Sequence, residues 1–154
     1  MNSHSEPVLI AKTEVHAALP QVKQWFLELD DHPERYEFES HQGFTFTQGA
    51  FGEIGAKFET EERFMGVAQT LKFVLTDVGE QHFTFELKQP LSDIWGRFVL
   101  SESPPSATEL RLEIGGTNAS KRLLLRMPLL SQAIRSQIQS EVEHIQASIE
   151  NTNS

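Results

Sequence analysis

The feature that most constrains this chain is a change of hydrophobic period along it. Between residues 41 and 116, large apolar side chains recur at every second position, as in Phe83, Phe85 and Leu87. From residue 130 to residue 149 they recur every three or four positions. The first pattern is typical of strands with one buried face, and the second of a helix with one apolar stripe. A sheet face and a helix stripe of this size are expected to bury each other.

Glycine and proline residues divide the alternating region into strands. Six strands are predicted there, centred on residues 44–46, 54–64, 71–75, 83–87, 94–100 and 110–114. Upstream, residues 8–17 predict a first strand, residues 20–30 a short amphipathic helix, and Pro33–Tyr36 a second helical turn. We therefore predict an α+β fold in which a curved, seven-stranded antiparallel sheet wraps around a long C-terminal helix, with two short helices between strands 1 and 2.

The length of the chain and its two ends indicate one domain. A chain of 154 residues has room for a single core, which we assign to residues 7–150. The polar ends are predicted to be a disordered N-terminal tail, residues 1–6, and a C-terminal tail, residues 151–154. The first residues lack the basic and apolar regions of a signal peptide, so the expected location is the cytoplasm.

Composition argues against several kinds of chemistry and partner. The chain has no cysteine, which excludes disulfides and thiolate catalysis. Its net charge of −9 argues against nucleic acid as a partner and against docking on anionic lipid. No apolar run approaches the roughly 20 residues of a membrane span, so stable membrane insertion is not expected. The sequence does not set the oligomeric state.

Phenylalanine dominates the aromatic residues. Eleven Phe accompany one Tyr and two Trp, and Phe brings no hydrogen-bonding group into an interior. Such a set suits either a solidly packed core or an apolar cavity, and periodicity alone does not separate the two.

Five local segments carry a resemblance to a known superfamily: Leu19–Phe26, Leu29–Tyr36, Gly52–Phe58, Glu62–Gly66 and Gln137–Ile149. With these segments the chain resembles, over residues 7–150, the START-like superfamily, also called SRPBCC, which includes birch-pollen allergens and polyketide cyclase/dehydrase-like proteins. The resemblance implies the helix-grip fold, with a cavity between the sheet and the last helix. It implies function only broadly, because relatives transfer lipids, bind hormones, or catalyse ring closure and dehydration.

Strand parity identifies the side chains that face the last helix. On periodicity they form a packed core, whereas the resemblance makes them the wall of a ligand pocket of about 300–1,000 Å³. The apolar members are Phe58, Leu71, Phe73, Phe83, Phe85, Phe98, Leu110 and Leu112 on the sheet, with Met127, Ile134 and Ile138 facing them.

Three polar side chains share that face of the sheet. Glu62 has the parity of Phe58, and a buried carboxylate needs a cation or hydrogen-bond donors, or else its pKa rises. Glu62 is therefore the best candidate for a catalytic general base or for anchoring a ligand hydroxyl. A place near the strand end, or a bulge, would instead bring it to water. Thr60 and Gln69 are further polar candidates for ligand binding.

No cofactor and no metal are predicted. The six histidines are scattered, and the one Glu-x-x-His step, from Glu141 to His144, lacks the second copy that di-iron bundles require. The glycine-rich stretch from Gly49 to Gly55 precedes a strand rather than a helix. It therefore predicts a turn instead of a phosphate cradle.

The segment from Lys121 to Leu130 carries three bases around an apolar run, just before the last helix. One interpretation is a connector that packs its leucines beneath the helix. The others are a pocket lid, a contact for a membrane or a protein partner, and a set of bases that binds a ligand carboxylate.

These observations favour one function and leave two alternatives. The favoured function is binding, with transport as an extension, of a small hydrophobic molecule such as a lipid or a polyketide-like compound. The first alternative is a cyclase/dehydratase-type enzyme that uses the same cavity. The second is a protein-interaction module that acts through residues 121–130 or the outer face of the sheet. The sequence leaves open whether the chain is an enzyme.

Overall fold

The computed structural model describes residues 6–38 and 41–152, and these residues form seven strands and three α-helices. The strands are β1 (Leu9–Val15), β2 (His41–Gln48), β3 (Lys57–Phe64), β4 (Val67–Val78), β5 (His82–Gln89), β6 (Ile94–Ser103) and β7 (Ala107–Gly116). The helices are α1 (Leu19–Leu27), α2 (Ala119–Leu125) and α3 (Pro128–Thr152), with a 3₁₀ helix at Pro33–Tyr36. The predicted α+β fold is confirmed, including the seven strands, the two short helices after β1 and the long C-terminal helix.

All seven strands form one antiparallel sheet in the order β1-β7-β6-β5-β4-β3-β2. Strands β2 to β7 follow one another as hairpins, while β1 closes the far edge by pairing with β7. Side chains alternate between the two faces. On β6, Phe98 and Leu100 are buried, whereas Arg97 lies on the outer face and pairs with Glu113 at 2.9 Å. The sheet therefore has one apolar inner face and one outer face that carries ion pairs.

Helix α1 covers one end of the inner face. It begins with a proline in its first turn and buries Val22, Trp25 and Phe26. The ring centre of Phe26 lies 4.9 Å from that of Phe98 on β6 and 5.4 Å from that of Phe83 on β5. This end of the sheet is consequently filled by aromatic packing.

Helix α3 packs against β1 and β7 and crosses the inner face. In its C-terminal half, Val142, Ile145 and Ile149 are fully buried. In its N-terminal half, Leu130 and Ile134 are only half-buried although they continue the same stripe. The two halves of α3 therefore have different surroundings.

The structure corrects the predicted start of the third strand. The strand β3 begins at Lys57 rather than at residue 54, and Ile54 is 66% exposed in the preceding loop. That loop is the turn predicted from its glycines. At Gly52, where φ is +113°, a side chain would also come within 2.7 Å of the Leu27 Cδ2 atom, so glycine lets the loop pack against α1.

The C-terminal boundaries also differ from the prediction. Residues 119–125, expected to be part of a connector, form helix α2, which is capped by the Asn118 side chain accepting from the Lys121 backbone N–H at 2.9 Å. Helix α3 continues to Thr152, beyond the predicted domain end at residue 150. Of the residues predicted to form the two tails, Glu6 and residues 151–152 belong to the described part of the chain. Residues 1–5 and 153–154 lie outside it.

No helix in the described part of the chain combines the length and the apolar character that crossing a bilayer requires.

Candidate functional site

A cavity of ≈ 210 Å³ lies between the sheet and the N-terminal half of α3. Its walls come from β3 to β7 and from α2 and α3. Most of the lining is apolar: Phe64, Leu71, Phe73, Phe85, Leu87, Pro90, Leu91, Ile94, Trp95, Gly96, Leu112, Ile114, Leu124, Leu125, Leu130, Ile134 and Ile138. A cavity therefore lies where the resemblance implied one, and it is an apolar compartment.

The cavity is smaller than the expected 300–1,000 Å³ because aromatic rings occupy part of the inner face. The Phe73 ring stacks on Phe58 with 5.1 Å between centres and meets the edge of Phe85 at 5.5 Å. Gly96 on β6 makes room for this arrangement. A Cβ atom there would lie 2.5 Å from the Phe85 ring.

Three polar side chains close one end of the cavity. They are Glu62 on β3 and two residues of α3, Gln137 and Glu141, which lie one helical turn apart on the same face. The amide Nε2 of Gln137 donates to Glu62 Oε1 at 3.3 Å. The side chains of Glu62 and Glu141 are only 11% and 13% exposed. The cavity therefore has apolar walls and one polar end that carries two buried carboxyl groups.

The Glu62 carboxylate is held by donors from neighbouring strands. His41 pairs with Glu62 in the β2–β3 register, and its Nε2 atom lies 3.2 Å from Glu62 Oε2. The hydroxyl of Thr60, two residues earlier on the same face of β3, donates to the same oxygen at 2.6 Å. With Gln137 on the other oxygen, Glu62 has the cation and the donors that a buried carboxylate needs.

The Glu141 carboxyl group has a different set of partners. The Tyr36 hydroxyl, at the end of the 3₁₀ helix, donates to Glu141 Oε1. His41 Nε2 lies 4.0 Å from the same oxygen. Both contacts use the same carboxyl oxygen of Glu141.

The two carboxyl groups are shifted in opposite directions. Burial raises the pKa of Glu62, but the His41 hydrogen bond and charge, with Thr60 and Gln137, outweigh burial and hold it below its usual value. Burial raises the pKa of Glu141 to about 7, and the Glu62 charge adds to this against the opposing effects of His41 and Tyr36. One carboxyl is thus ionised and the other changes its charge near neutral pH.

The two groups behind the carboxyls are shifted as well. Burial lowers the pKa of His41, but the hydrogen bond to Glu62, the negative charges of Glu141 and Glu62, and the Tyr36 backbone outweigh it, so the pKa is raised. Burial, together with Glu141 and Glu62, raises the pKa of the Tyr36 hydroxyl well above its usual value. These surroundings favour the protonated form of His41 beside Glu62, and they keep Tyr36 a neutral hydrogen-bond donor.

A second void of ≈ 30 Å³ lies behind the polar end. Glu62 and Glu141 line both spaces, and the void is otherwise bounded by Tyr36, His41, Thr60 and the aromatic core. The polar end therefore separates a ligand-sized compartment from a space that fits about one water molecule.

The sequence-predicted site residues divide into three groups. The cavity wall contains Glu62, Gln69, Leu71, Phe73, Phe85, Leu112, Ile134 and Ile138. The small void is lined by Phe58, Thr60 and Phe98. Phe83 and Leu110 are fully buried in the packed part of the core, and Met127 is 52% exposed on the surface, so these three lie outside the cavity.

Sequence reasoning missed His41, Tyr36, Gln137 and Glu141. Regular alternation would put His41 and Phe44, which are three residues apart, on opposite faces of β2. The register shift between His41 and Gly43 instead brings both to the inner face. The one tyrosine of a phenylalanine-rich chain was a usable signal, because a buried phenol needs a hydrogen-bond partner. Glu141 gave a weaker signal, as it stands directly beside the apolar stripe of α3.

The Glu-x-x-His step does not form a joint site. The His144 ring lies 3.0 Å from the Arg35 carbonyl through Nε2 and stacks on Phe38, with 4.6 Å between ring centres, whereas Glu141 faces Tyr36. Among residues 6–38 and 41–152, no group of His, Asp and Glu side chains has the arrangement of a metal site.

The segment from Lys121 to Leu130 faces both the cavity and the solvent. Leu124, Leu125 and Leu130 line the cavity, whereas Leu123 and Leu129 are exposed. The predicted connector therefore forms part of the cavity wall and also presents apolar side chains to the outside.

Known proteins resemble this chain in structure, whereas no match is found in sequence. No protein-family model matches the chain, and no curated protein matches its sequence. A START superfamily protein from Mycobacterium smegmatis has a TM-score of 0.70 at 11% identity, covering 94% of this chain and 97% of that one. The Zhui aromatase/cyclase from Streptomyces sp. R1128 has a TM-score of 0.73 at 8% identity, covering 95% and 94%. The ginseng major latex-like protein 151 from Panax ginseng has a TM-score of 0.64 at 16% identity, covering 94% and 95%.

Identity this low, with structural agreement over nearly the full length, shows a shared fold rather than a shared activity. The chain has the helix-grip fold of the START-like, or SRPBCC, superfamily.

Proposed function

We propose that the protein binds a small, uncharged hydrophobic molecule whose polar group donates a hydrogen bond to the carboxyl end of the cavity. The observation that carries the proposal is the apolar compartment of ≈ 210 Å³ with Glu62, Gln137 and Glu141 at one end. Burial of the apolar part of such a ligand supplies the affinity, at about 25 cal/mol per Å². The polar end supplies orientation.

The charge of the lining supports an uncharged ligand over an anion. Two carboxyl groups line the cavity, and no lysine or arginine of the described residues does. A ligand carboxylate at this end would stand near the Glu62 charge without a cation of its own, because His41 is already paired with Glu62 at 3.2 Å. A ligand hydroxyl meets the Glu141 carboxyl group without that repulsion.

The test is a comparison of naphthol with naphthoate, which share a ring system and differ in the polar group. Naphthol is expected to bind the wild type at neutral pH, and naphthoate at least tenfold more weakly, by titration calorimetry and fluorescence. Ile134→Trp fills the cavity and is expected to abolish binding. The matched control, Ile54→Trp, adds the same ring to an exposed loop and leaves binding unchanged.

Native mass spectrometry of the purified protein, with solvent extraction, identifies hydrophobic molecules that copurify. The proposal fails if naphthol does not bind the wild type and nothing hydrophobic copurifies. It also fails if Ile134→Trp binds naphthol as well as Ile54→Trp does.

Acid–base catalysis of the cyclase/dehydratase type is a second candidate function, and the opposite pKa shifts of the two carboxyl groups favour it. In the elimination of water from a β-hydroxy ketone, Glu62 would take the proton of the breaking C–H bond. Glu141 would give its proton to the leaving hydroxyl, so that a C=C bond and water form.

An aryl β-hydroxy ketone, whose elimination product absorbs in the near ultraviolet, tests this second function. Glu62→Gln is expected to abolish turnover and to leave naphthol binding within a few-fold of the wild type. Full turnover by the Glu62→Gln variant would remove the catalytic role, and the absence of turnover by the wild type would leave ligand binding as the function.

A further inference from the structure

Exposed apolar side chains gather around one opening of the cavity. Eight large hydrophobic residues are exposed in the described part of the chain, and six of them line the cavity or lie within two positions of a lining residue. We call these six the mouth patch: Met65, Val67, Leu91, Leu123, Met127 and Leu129. The other two, Ile10 and Ile54, lie on β1 and in the β2–β3 loop, away from the opening. Such clustering marks an interaction surface, whereas single exposed hydrophobic residues do not.

The mouth patch is built from three segments that meet at the cavity. The β3–β4 hairpin brings Met65 and Val67, next to the lining residue Phe64, and the β5–β6 loop brings Leu91, which lines the cavity itself. The junction of α2 and α3 brings the other three. The Lys121 ammonium donates to the Ser92 carbonyl at 2.8 Å, which ties α2 to the β5–β6 loop. The patch therefore lies beside the cavity lining and belongs to no single element.

The leucines of the mouth patch are more exposed to solvent than apolar side chains usually are. Leu129 is 77% exposed and Leu123 is 67% exposed, although leucines one position away, Leu124 and Leu130, help to enclose the cavity. The fold thus divides one leucine-rich segment between the interior and the solvent.

The charge around the patch is opposite to that of the whole protein. Residues 119–135 hold four bases and no acid, in a chain whose net charge is −9. Within the described residues, no salt bridge joins Lys121, Arg126 or Arg135 to an acid. The β3–β4 hairpin adds one base, Arg63, and one exposed acid, Glu61, and the β5–β6 loop adds one further acid, Asp93. The surface around the opening therefore keeps a positive balance.

We infer that the mouth patch docks on an anionic lipid bilayer, with its apolar side chains in the interface and the surrounding bases on the lipid headgroups. Exposed leucine and methionine beside arginine are the composition of surfaces that lie in a membrane interface. A second copy of this chain fits less well, since a symmetric contact would place the same bases against each other. Docking would bring the cavity opening to the lipid phase.

The inference goes beyond the proposed function and concerns residues outside the polar end, so the two are tested separately. Flotation with vesicles of phosphatidylcholine alone and of phosphatidylcholine mixed with phosphatidylglycerol measures docking. The wild type is expected to float with the mixed vesicles and to be released at high salt, where screening shortens to about 3 Å.

Two pairs of variants locate the contact. Leu129→Asp is expected to weaken vesicle binding at least tenfold, while the matched control Ile54→Asp changes it by less than about twofold. Arg126→Gln is expected to weaken binding about fivefold, as loss of one interfacial base does. Lys57→Gln, an exposed base on β3 away from the opening, is its control. All four positions are exposed, and thermal unfolding checks that each variant is folded.

Three outcomes would overturn the inference. One is a wild type that does not float with the mixed vesicles. Another is Ile54→Asp weakening binding as much as Leu129→Asp. The third is a dimer in light scattering that Leu129→Asp dissociates, because the occupant of the patch would then be a second copy. Naphthol binding by Leu129→Asp is expected to stay unchanged, which separates failure of docking from failure of the cavity.

Discussion

The two halves of helix α3 have the same hydrophobic spacing and different surroundings. In the C-terminal half, Ile145 and Ile149 are fully buried in the region that α1 also fills. In the N-terminal half, Leu130 and Ile134 face the cavity. The spacing of apolar residues therefore decides which side of α3 turns inward. Whether the space between that side and the sheet is filled depends on a third element, here helix α1.

The polar cluster lies at the border between these halves. Glu141 stands between the cavity-lining Ile138 and the buried Val142 and Ile145, and it is held by Tyr36 from the 3₁₀ helix. The short helices after β1 therefore fill one end of the interior and also supply a partner for the residue that closes the cavity.

The largest effect is expected at this border, from His41→Asn. The change removes the imidazole that pairs with Glu62 and leaves this buried carboxylate with the Thr60 and Gln137 donors alone, which costs about 3–5 kcal/mol of unfolding free energy. The control is His82→Asn, because the pair of His82 with Asp77, also short at 2.9 Å, lies largely exposed and is worth at most about 1 kcal/mol. Urea denaturation at neutral pH measures both. Equal losses in the two variants would mean that His41 does not neutralise Glu62.

The next largest effect is expected when one isoleucine in each half of α3 is replaced by alanine. Ile145→Ala is expected to cost about 3–4 kcal/mol of unfolding free energy, because it opens a cavity in packed surroundings. Ile134→Ala is expected to cost about 1 kcal/mol, since its side chain already borders empty space. Naphthol affinity should change only in Ile134→Ala. If the two variants lose the same free energy, the halves do not differ in packing.

A smaller, pH-dependent effect is expected from Glu141→Gln. The pKa of Glu141 is raised to about 7 from 4.5, so its contribution to stability is complete below pH 4.5 and is lost as the pH rises through 7. For the wild type this loss is about 3 kcal/mol. The glutamine variant keeps an acceptor for Tyr36 and cannot ionise, so its stability should fall less over this range.

Two neighbouring groups, His41 and Glu62, also make the unfolding free energy depend on pH. The raised pKa of His41 also makes stability fall as the pH rises, above its ordinary value of 6.5, so some slope remains in Glu141→Gln. The lowered pKa of Glu62 acts in the acid range, where stability is lost as the pH falls below 4.5. Urea denaturation between pH 5 and pH 8 measures the slope, and an unchanged slope would contradict the assignment to Glu141.

Part of the site followed from strand parity alone. Glu62 and Thr60 share a face with Phe58 because side chains alternate along a strand, and this alternation alone predicts a carboxylate among the inner-face residues. The same rule failed for His41, where the β2–β3 register shifts by one residue. Parity also made no distinction between Phe83, which is buried in the packed end, and Phe85, which borders the cavity.

The sequence by itself determined the order of elements, the inward face of each strand and the stripe of α3, because these depend on local periodicity. Only the tertiary structure decided where the interior is hollow and which polar groups meet there. His41 meets Glu62 through the shifted register of the β2–β3 hairpin, and Tyr36 meets Glu141 where the 3₁₀ helix packs on α3. Distances of this kind depend on the packing of several elements at once, which no local pattern records.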